Sequence, residues 1–353
     1  MMPLQKINSS QLQMGMTVVK LDKNWLETPF LKHKFTIETE KQLLQLRATC
    51  KFVYINANQS SSINTKEPLN INNPLKAKRT LHSSLNLLNT ALKEFKESEY
   101  LSSKKIQQIV NSLIIQVLND SKTYKYLDEI RSNSPLIAQK SLRVLVLYLT
   151  FCKYLGIKKS QLLELGCAAL LHDIGMTKLS VNFNRPKMLS QTEKRGIEIH
   201  TQIGVQIIEK NRNFSPLVGQ IIKSHHENFD GTGYPDGLSK RQINLYSRML
   251  TLICTYEALT RNRGYKAALS SYSAVTELFK ISGSMLDPRL VAKFIEIVKE
   301  YPVGVRAKTQ RDEEIQIISR IKKNKYKAVF LNALEPKQET ILDSNHIKSV
   351  IYE

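Results

Sequence analysis

The spacing of apolar residues divides the chain into a long helical middle and two shorter ends that carry strand signals. Between residues 81 and 126, and most clearly over residues 106–117, apolar residues recur every three or four positions, which is the period of a buried helix face. Residues 134–157 and 159–171 predict two more apolar helices. Strand-type alternation is missing from the sequence of residues 81–300, so the main domain is expected to be all-α.

The N-terminal end predicts a small α/β domain. Residues 17–19 (TVV) and 52–55 (FVYI) are β-branched or aromatic runs typical of strands. Between them, residues 38–47 have helical spacing. Residues 59–80 are polar, contain prolines and lack any period, so they are interpreted as a linker.

The C-terminal end predicts a small β appendage. Residues 315–318 (IQII) and 326–331 (YKAVFL) indicate two strands around a basic turn at residues 320–325. The fold class is therefore mainly α. The predicted organisation is an N-terminal domain at 1–58, a linker at 59–80, a helical connector at 81–133, the main domain at 134–303 and a β-containing segment at 304–353.

Composition indicates a folded protein, and the net charge indicates the kind of partner that it binds. Of 353 residues, 42% are hydrophobic and 24% charged, which is ordinary for a globular protein and excludes wholesale disorder. The 52 Lys and Arg against 31 Asp and Glu give a net charge of +21. Such a surplus favours an anionic partner, whether nucleotide, nucleic acid or membrane surface.

The cysteines and the hydropathy pattern indicate a cytoplasmic protein without a membrane span. The four cysteines, Cys50, Cys152, Cys167 and Cys254, are far apart and form no CxxC pair, so neither a disulfide framework nor a zinc ribbon is expected. The first residues lack the apolar core of a signal peptide. No stretch approaches the roughly 18 apolar residues of a membrane helix.

Histidines carry the clearest chemical signal. Four of the seven histidines are His172, His200, His225 and His226, and Asp173 adjoins the first. Imidazole and carboxylate together suit Fe, Mn, Ni or Zn better than Ca. A carboxylate has two oxygens and can bridge two ions about 3.5–4 Å apart, an arrangement suited to splitting a phosphodiester.

Two neighbouring segments add a loop and a cluster of cations. Residues 227–237 (ENFDGTGYPDG) follow the histidine pair directly and combine glycines, a proline and aspartates, so an ordered loop at the mouth of the metal site is predicted. Residues 261–266 (RNRGYK) are interpreted either as a solvated basic helix end or as a phosphate clamp, for which arginine is well suited.

Taken in order, these motifs resemble the HD-GYP domain, a subgroup of the HD metal-dependent phosphohydrolases that degrades the bacterial second messenger cyclic di-GMP. The similarity rests on residues 172–175 (HDIG), His200, residues 225–227 (HHE) and residues 230–238 (DGTGYPDGL), and it continues through residues 246–248, 257–260 and 263–265. Residues 15–21 and 25–30 also resemble the small domain that often precedes HD-GYP domains.

The resemblance implies a metal-dependent phosphodiesterase in cytoplasmic signal transduction. Its substrate would be cyclic di-GMP, opened to linear pGpG, or a related cyclic dinucleotide. One or two divalent transition metal ions, such as Fe or Mn, would be held by His172, Asp173, His200, His225 and His226. Asp173 would be the bridging, catalytic carboxylate. Tyr234, Arg263 and Lys266 would contact substrate, a diguanylate cyclase (GGDEF) protein is an expected partner, and oligomers are compatible with the family.

Three positions depart from the family's pattern. Lys140 stands where the family has its first histidine ligand, Cys254 where it has its last aspartate, and Met176 where it has a lysine near the reacting phosphate. The first two losses fall on one ion site, so an ammonium at Lys140 is expected to replace that cation and to pair with Asp173. Alternatives at this site are ligation by the Cys254 thiolate, or by Glu257 one helical turn further on.

Two functions therefore remain open at the level of sequence. The first is an active cyclic dinucleotide phosphodiesterase. The second is a catalytically degenerate relative that binds the dinucleotide or a partner protein without hydrolysis. Nucleic-acid binding through the net charge of +21 is a third, weaker interpretation, because no recognisable nucleic-acid-binding signature accompanies the charge.

Overall fold

A computed structural model describes most of the chain. The described residues are 4–13, 15–22, 35–37, 40–56, 74–120, 123–129, 136–179, 191–211, 213–261, 268–331 and 339–351. The chain divides into two compact units, Met1–Asn70 and Ile71–Glu353. Within the described ranges, no helix is long and apolar enough to cross a membrane.

The N-terminal unit is a four-stranded antiparallel sheet with one helix. Its strand order is β1-β4-β2-β3. Val18, Ile37, Leu46 and Val53 are fully buried in its core, as expected for a sheet with one apolar face. The predicted strands and helix are confirmed. The elements are β1 (Leu4–Asn8), β2 (Thr17–Leu21), β3 (Phe35–Thr36), α1 (Glu40–Thr49) and β4 (Phe52–Asn56).

The second unit begins with a long series of helices. The described part of residues 81–300 contains no strand longer than an isolated bridge, which confirms the all-α prediction. The helices are α2 (Pro74–Ser98), α3 (Ser103–Asn119), α4 (Leu136–Tyr154), α5 (Leu162–Leu171), α6 (Gln191–Glu198), α7 (His200–Lys210), α8 (Pro216–Ser224), α9 (Leu245–Thr260), α10 (Ser271–Lys280) and α11 (Pro288–Val298).

Helix α4 forms the centre of this unit. Every residue from 144 to 152 is buried, so the helix is apolar on all sides, which is typical of a helix surrounded by others. It packs against α3, α5 and α9. Helix α3 instead buries one face that includes Ile106, Val110 and Val117, in agreement with its period in the sequence.

The linker prediction for residues 59–80 is wrong at its C-terminal end. Residues 59–73 lie outside the described part of the chain, but α2 already begins at Pro74. Proline fits the first turn of a helix because the missing N–H would have no partner there. Ala77 and Leu81 are fully buried, so packing holds this turn in place despite its polar sequence.

The C-terminal segment forms a five-stranded antiparallel sheet in the order β8-β7-β6-β5-β9. The two predicted strands are confirmed, but the basic turn is shorter than expected because β6 continues to Lys322. The reversal is made with Asn324 at a positive φ of 63°. The strands are β5 (Arg306–Thr309), β6 (Glu314–Lys322), β7 (Lys325–Phe330), β8 (Glu339–Asp343) and β9 (Ile347–Ile351).

Candidate metal centre

A histidine and an aspartate lie buried directly after the end of α5. His172 follows the last residue of the apolar helix, and both His172 and Asp173 are buried. A short 3-10 helix, Ile174–Lys178, comes next. At Gly175 an added Cβ would lie 2.0 Å from the carbonyl oxygen of His200. Glycine therefore allows this turn to press against the start of α7, which brings His200 beside Asp173.

The remaining histidines come from the ends of two helices. His200 is the first residue of α7, and His225 follows the last residue of α8. One ligand atom each from Asp173, His200, His225 and His226 lies within 4.8 Å of the others. His226 is half-buried and the other three are buried. These residues, far apart in the sequence, therefore form one compact group of potential metal ligands.

The two oxygens of Asp173 face different neighbours. Oδ1 lies 3.5 Å from Nε2 of His200 and 3.7 Å from Nε2 of His225. Oδ2 lies 3.2 Å from Nε2 of His172 and 2.5 Å from Nζ of Lys140. We call these the Oδ1 side and the Oδ2 side of the centre.

Backbone carbonyls fix the orientation of three imidazoles. In each case Nδ1 lies within hydrogen-bonding distance of the carbonyl oxygen three residues earlier. A carbonyl only accepts, so Nδ1 donates and a neutral ring turns the lone pair of Nε2 inward. The three distances are 2.9 Å for His172 to Ala169, 2.7 Å for His200 to Ile197 and 2.7 Å for His225 to Ile222.

The inward nitrogens meet the requirements of a metal site. Nε2 of His172, His200 and His225 is buried, and no atom of the described residues gives it a well-directed hydrogen bond. Buried polar atoms without partners are rare because they cost free energy. A transition metal binds well to imidazole nitrogens and a carboxylate oxygen. It binds best when the other ring nitrogen of each histidine donates a hydrogen bond that fixes the ring, as Nδ1 does here. The residues of the Oδ1 side therefore fit the metal that the HD-type sequence implies.

The ionisation of the histidines differs between the two sides. Burial lowers the pKa of His200, and it lowers the pKa of His225 to about 4 and that of His226 well below its usual range. These rings are neutral at pH 7. For His172 burial also acts downward, but the negative charge of the neighbouring Asp173 outweighs it and raises the pKa to about 10.

On the Oδ2 side, Lys140 pairs with Asp173 as expected from the sequence. Burial disfavours the ammonium, but the Asp173 carboxylate outweighs this and raises the pKa of Lys140. Burial acts in the opposite direction on Asp173, whose pKa is nevertheless held well below its usual range by His172 and Lys140. Lys140 and Asp173 therefore form a charged, largely buried pair.

The two alternative ligands of the Oδ2 side have other neighbours. Cys254 is buried and lies beside His172, outside the group of potential metal ligands. Glu257 is also outside that group: its carboxylate lies 2.9 Å from Nε of Arg261 and 3.5 Å from Nε of Arg143. Two arginines thus surround the buried charge of Glu257, and its place as a substitute ligand stays a prediction.

The glycine-rich loop is anchored by Glu227. This buried carboxylate accepts hydrogen bonds from the backbone N–H groups of Asp236, at 2.8 Å, and Leu238, at 3.0 Å. At Gly233 an added Cβ would lie 2.2 Å from the backbone nitrogen of Asn228, so only glycine fits this close approach. The loop thus has a fixed shape beside the histidines.

Tyr234 links the loop to the metal centre. Its ring stacks on His226, with centroids 4.8 Å apart and planes 16° from parallel. Met176 is half-buried in the 3-10 helix after Asp173. Arg263 and Lys266, the predicted phosphate contacts, lie outside the described residues. The anchoring role of Glu227 was not predicted from the sequence, although an acidic residue directly before a glycine-rich loop is a usable signal.

Comparison with known families agrees with this architecture. The sequence matches the family described as "HD domain" over residues 126–290. It matches "Domain of unknown function (DUF3391)" over residues 4–128. The second match extends through α3, so it includes most of the segment that the sequence analysis treated as a separate connector.

Several characterised relatives are similar in sequence. A cyclic di-GMP phosphodiesterase of Pseudomonas aeruginosa is 27% identical over 326 residues, which cover 85% of this chain and 78% of the relative. A 3'3'-cGAMP-specific phosphodiesterase of Vibrio cholerae is 34% identical over 46% of this chain and 35% of the relative. A cyclic di-GMP phosphodiesterase of Thermotoga maritima is 26% identical over 64% of this chain and 61% of the relative.

A solved structure has a similar fold. It is an HDG"Y"P protein from Bdellovibrio bacteriovorus, with a TM-score of 0.54 and 16% sequence identity, covering 84% of this chain and 100% of the other. At this identity the likeness concerns the fold alone. It supports the helical architecture of the chain.

Proposed function

We propose that this chain, which belongs to the HD domain proteins of the HD-GYP type, hydrolyses a cyclic dinucleotide in a metal-dependent reaction. Cyclic di-GMP is the first candidate substrate and 3'3'-cGAMP the second, because relatives bear these names. The observation that carries the proposal is the group formed by Asp173, His200, His225 and His226, with two inward Nε2 atoms that lack another partner among the described residues.

The chain is proposed to hold one resident ion, on the Oδ1 side. Its ligands would be Asp173, His200 and His225, with His226 in the same group. Imidazole and carboxylate donors favour iron or manganese among the available ions. When bound, such an ion lowers the pKa of a water molecule and neutralises charge on a phosphate.

Lys140 is proposed to supply the positive charge of the Oδ2 side. Its ammonium contacts Asp173 at 2.5 Å and its side chain is still 20% exposed, so a phosphate oxygen can approach it. An ammonium neutralises charge but cannot generate hydroxide as a metal ion does. Hydrolysis by this chain is therefore expected to be slower than in a relative with two ions.

The loop and the basic segment after α9 are proposed to hold the substrate. Tyr234 offers a ring fixed by stacking on His226, and Arg263 and Lys266 carry charges for the phosphates. Loss of one charge-assisted contact costs about 1.5–3 kcal/mol, or roughly tenfold or more in affinity. Calorimetry with Arg263→Ala should show this loss, whereas Arg241→Ala, at an exposed site, should bind normally. Equal affinities would argue against the clamp.

The test of the activity is a cleavage assay with metal-loaded protein. The full chain, loaded with Fe²⁺ or Mn²⁺, is incubated with cyclic di-GMP or 3'3'-cGAMP, and the products are separated by chromatography. Metal-dependent appearance of the linear dinucleotide is expected, and a chelator should stop it. If both nucleotides stay intact with a loaded centre, the proposal of hydrolysis is wrong.

A second candidate function is binding without hydrolysis, which the Lys140–Asp173 pair specifically favours. In that case the chain would report the dinucleotide to a partner, and a diguanylate cyclase with a GGDEF domain is the proposed partner. The same preparation distinguishes the two functions. Saturable binding of intact cyclic di-GMP, with no linear product after prolonged incubation, would identify the binding function.

A further inference from the structure

A large cavity lies in the second unit, apart from the proposed metal ligands. Its volume is about 1250 Å³. It is walled by one face of α4, the C-terminal ends of α9 and α11, and two reversals of the C-terminal sheet. None of the described residues that line it belongs to the group of potential metal ligands. The cavity is of a size that accommodates a nucleotide.

The lining carries more positive than negative charge. Its basic residues are Lys125, Arg143, Lys153, Arg261, Lys299 and Lys323, and its acidic residues are Glu296 and Glu300. Both acids are already neutralised. Glu296 accepts from Lys293, at 3.0 Å, and Glu300 lies 3.1 Å from Arg320. Neither carboxylate is therefore available to balance the basic residues that line the cavity.

The surplus comes from three lysines of the lining. Within the described part of the chain, no carboxylate pairs with Lys125 or Lys323, and Lys299 contacts only the side-chain oxygen of Asn345, at 3.2 Å. Arg143 and Arg261, by contrast, face Glu257. The three lysines are thus the part of the lining that attracts an anion most strongly.

Aromatic and amide side chains complete the lining. Tyr124, Tyr154 and Tyr256 contribute to the walls, and Asn324 and Asn345 lie beside the lysines. Tyrosine rings provide stacking surfaces for a base, and amides provide both donors and acceptors. A site that combines cations with aromatic rings matches a nucleotide better than a simple inorganic anion.

We propose that this cavity is a second nucleotide site, which binds a nucleotide with at least two phosphate charges, the phosphates lying at Lys125, Lys299 and Lys323. The site does not depend on hydrolysis at the metal centre. The two are connected through α4, because Gln139 and Arg143 line the cavity while Lys140, on the same helix, pairs with Asp173. A ligand in the cavity is therefore placed to act as a regulator.

The test is calorimetric titration of the full chain with GTP, cyclic di-GMP and pyrophosphate. The main variant is Lys299→Glu with Lys323→Glu, and the matched control is Lys158→Glu with Lys159→Glu, which reverses two exposed lysines away from the cavity. GTP or cyclic di-GMP is expected to bind the wild type and the control alike. Binding at this site should weaken by about a hundredfold in the main variant, since each lost contact accounts for tenfold or more.

Further measurements separate this site from the metal centre and from misfolding. The metal content of the main variant, from elemental analysis, should equal that of the wild type. Lys125→Glu changes another lining residue and should weaken binding as well. It replaces the main variant in the test if the main variant does not fold. Hydrolysis can fail entirely while lysine-dependent binding persists, and then only the proposed function is wrong.

Three results would overturn the second site. The first is equal weakening in the control variant, which would indicate non-specific attraction to a basic protein. The second is pyrophosphate binding as tightly as GTP, which would indicate a polyanion site that ignores the base. The third is the absence of lysine-dependent binding of either nucleotide at millimolar concentration.

Discussion

The two sides of Asp173 offer an internal comparison, because one carboxylate faces two environments. On the Oδ1 side lie His200 and His225, whose rings are kept neutral by burial. On the Oδ2 side lie His172, whose pKa is raised to about 10, and Lys140, which is also charged. The Oδ1 side offers lone pairs to a cation, whereas the Oδ2 side already contains its cations.

The difference shows how a protein can replace a bound metal ion by a charged side chain, here the ammonium of Lys140. A buried carboxylate must be neutralised, and either a metal or an ammonium can do this. A second metal ion at Oδ2 would have to displace Lys140 and deprotonate His172, both of which cost free energy. The centre is therefore expected to hold one ion, on the Oδ1 side.

The largest effect is expected from Asp173→Asn, which removes the group that the two sides share. It leaves the Lys140 ammonium without its buried partner, a loss that typically costs about 3–5 kcal/mol, and it also removes one of the proposed metal ligands. Chemical denaturation and elemental analysis should show both defects. Asp312→Asn is the matched control, because its exposed pair with Lys348 contributes at most about 1 kcal/mol.

A second substitution checks the cause of that instability. Adding Lys140→Met to Asp173→Asn removes the stranded charge, so part of the lost stability should return even though the metal remains absent. Asp173→Asn protein as stable as the wild type would contradict the account of the Oδ2 side.

The next effect compares one histidine from each side. His225→Ala removes a proposed ligand and should weaken metal affinity by more than about a hundredfold, the upper range seen for residues that merely support a ligand. His172→Ala acts on the side occupied by Lys140 and should change the affinity by less than about tenfold. Competition with a metal-sensitive dye measures both. Equal losses would indicate that the ion is shared by the two sides.

Much of this centre was predictable from the sequence because its residues fall in short, ordered motifs. The ligand group and the pairing of Lys140 with Asp173 follow from identities at single positions. The surroundings of Glu257 were predictable only in part. Arg261 stands four residues after it, at the end of the same helix, so that contact is local. Arg143 reaches Glu257 from α4, and this meeting is decided by the packing of α4 against α9.

Long-range strand pairing also explains why three strands of the C-terminal sheet, β5, β8 and β9, were not predicted from the sequence. Strands β6 and β7 are adjacent in the chain and were predicted from their apolar runs. Strand β5 pairs with β9, which follows it in the chain only after β6, β7 and β8, and β8 has the short, mixed sequence ETILD. Neither carries a strong local signal, so their place in the sheet depends on partners that are distant in the sequence.

A smaller effect is expected from the loop, which lies on the Oδ1 side. Glu227→Gln removes the charge that accepts two backbone hydrogen bonds. A hydrogen bond to a charged group contributes about 1.5–3 kcal/mol, so dinucleotide affinity should fall by roughly tenfold as the loop loses its shape. Metal content should be unchanged. Asp230→Asn is the control, because its exposed carboxylate accepts hydrogen bonds from the backbone N–H and the hydroxyl of Thr232. A loss as large as that of Glu227→Gln would contradict the anchor.

The number of metal ions per chain, measured before and after ligands are restored to the Oδ2 side, decides whether Lys140 takes the place of a second ion. Lys140→His with Cys254→Asp replaces the internal cation and the thiol by ligands, next to His172 and Asp173, which are already in place. Elemental analysis of protein purified with excess Fe²⁺ or Mn²⁺ should give one ion per chain for the wild type and two for the double variant. Two ions in the wild type, or one in both proteins, would contradict the account.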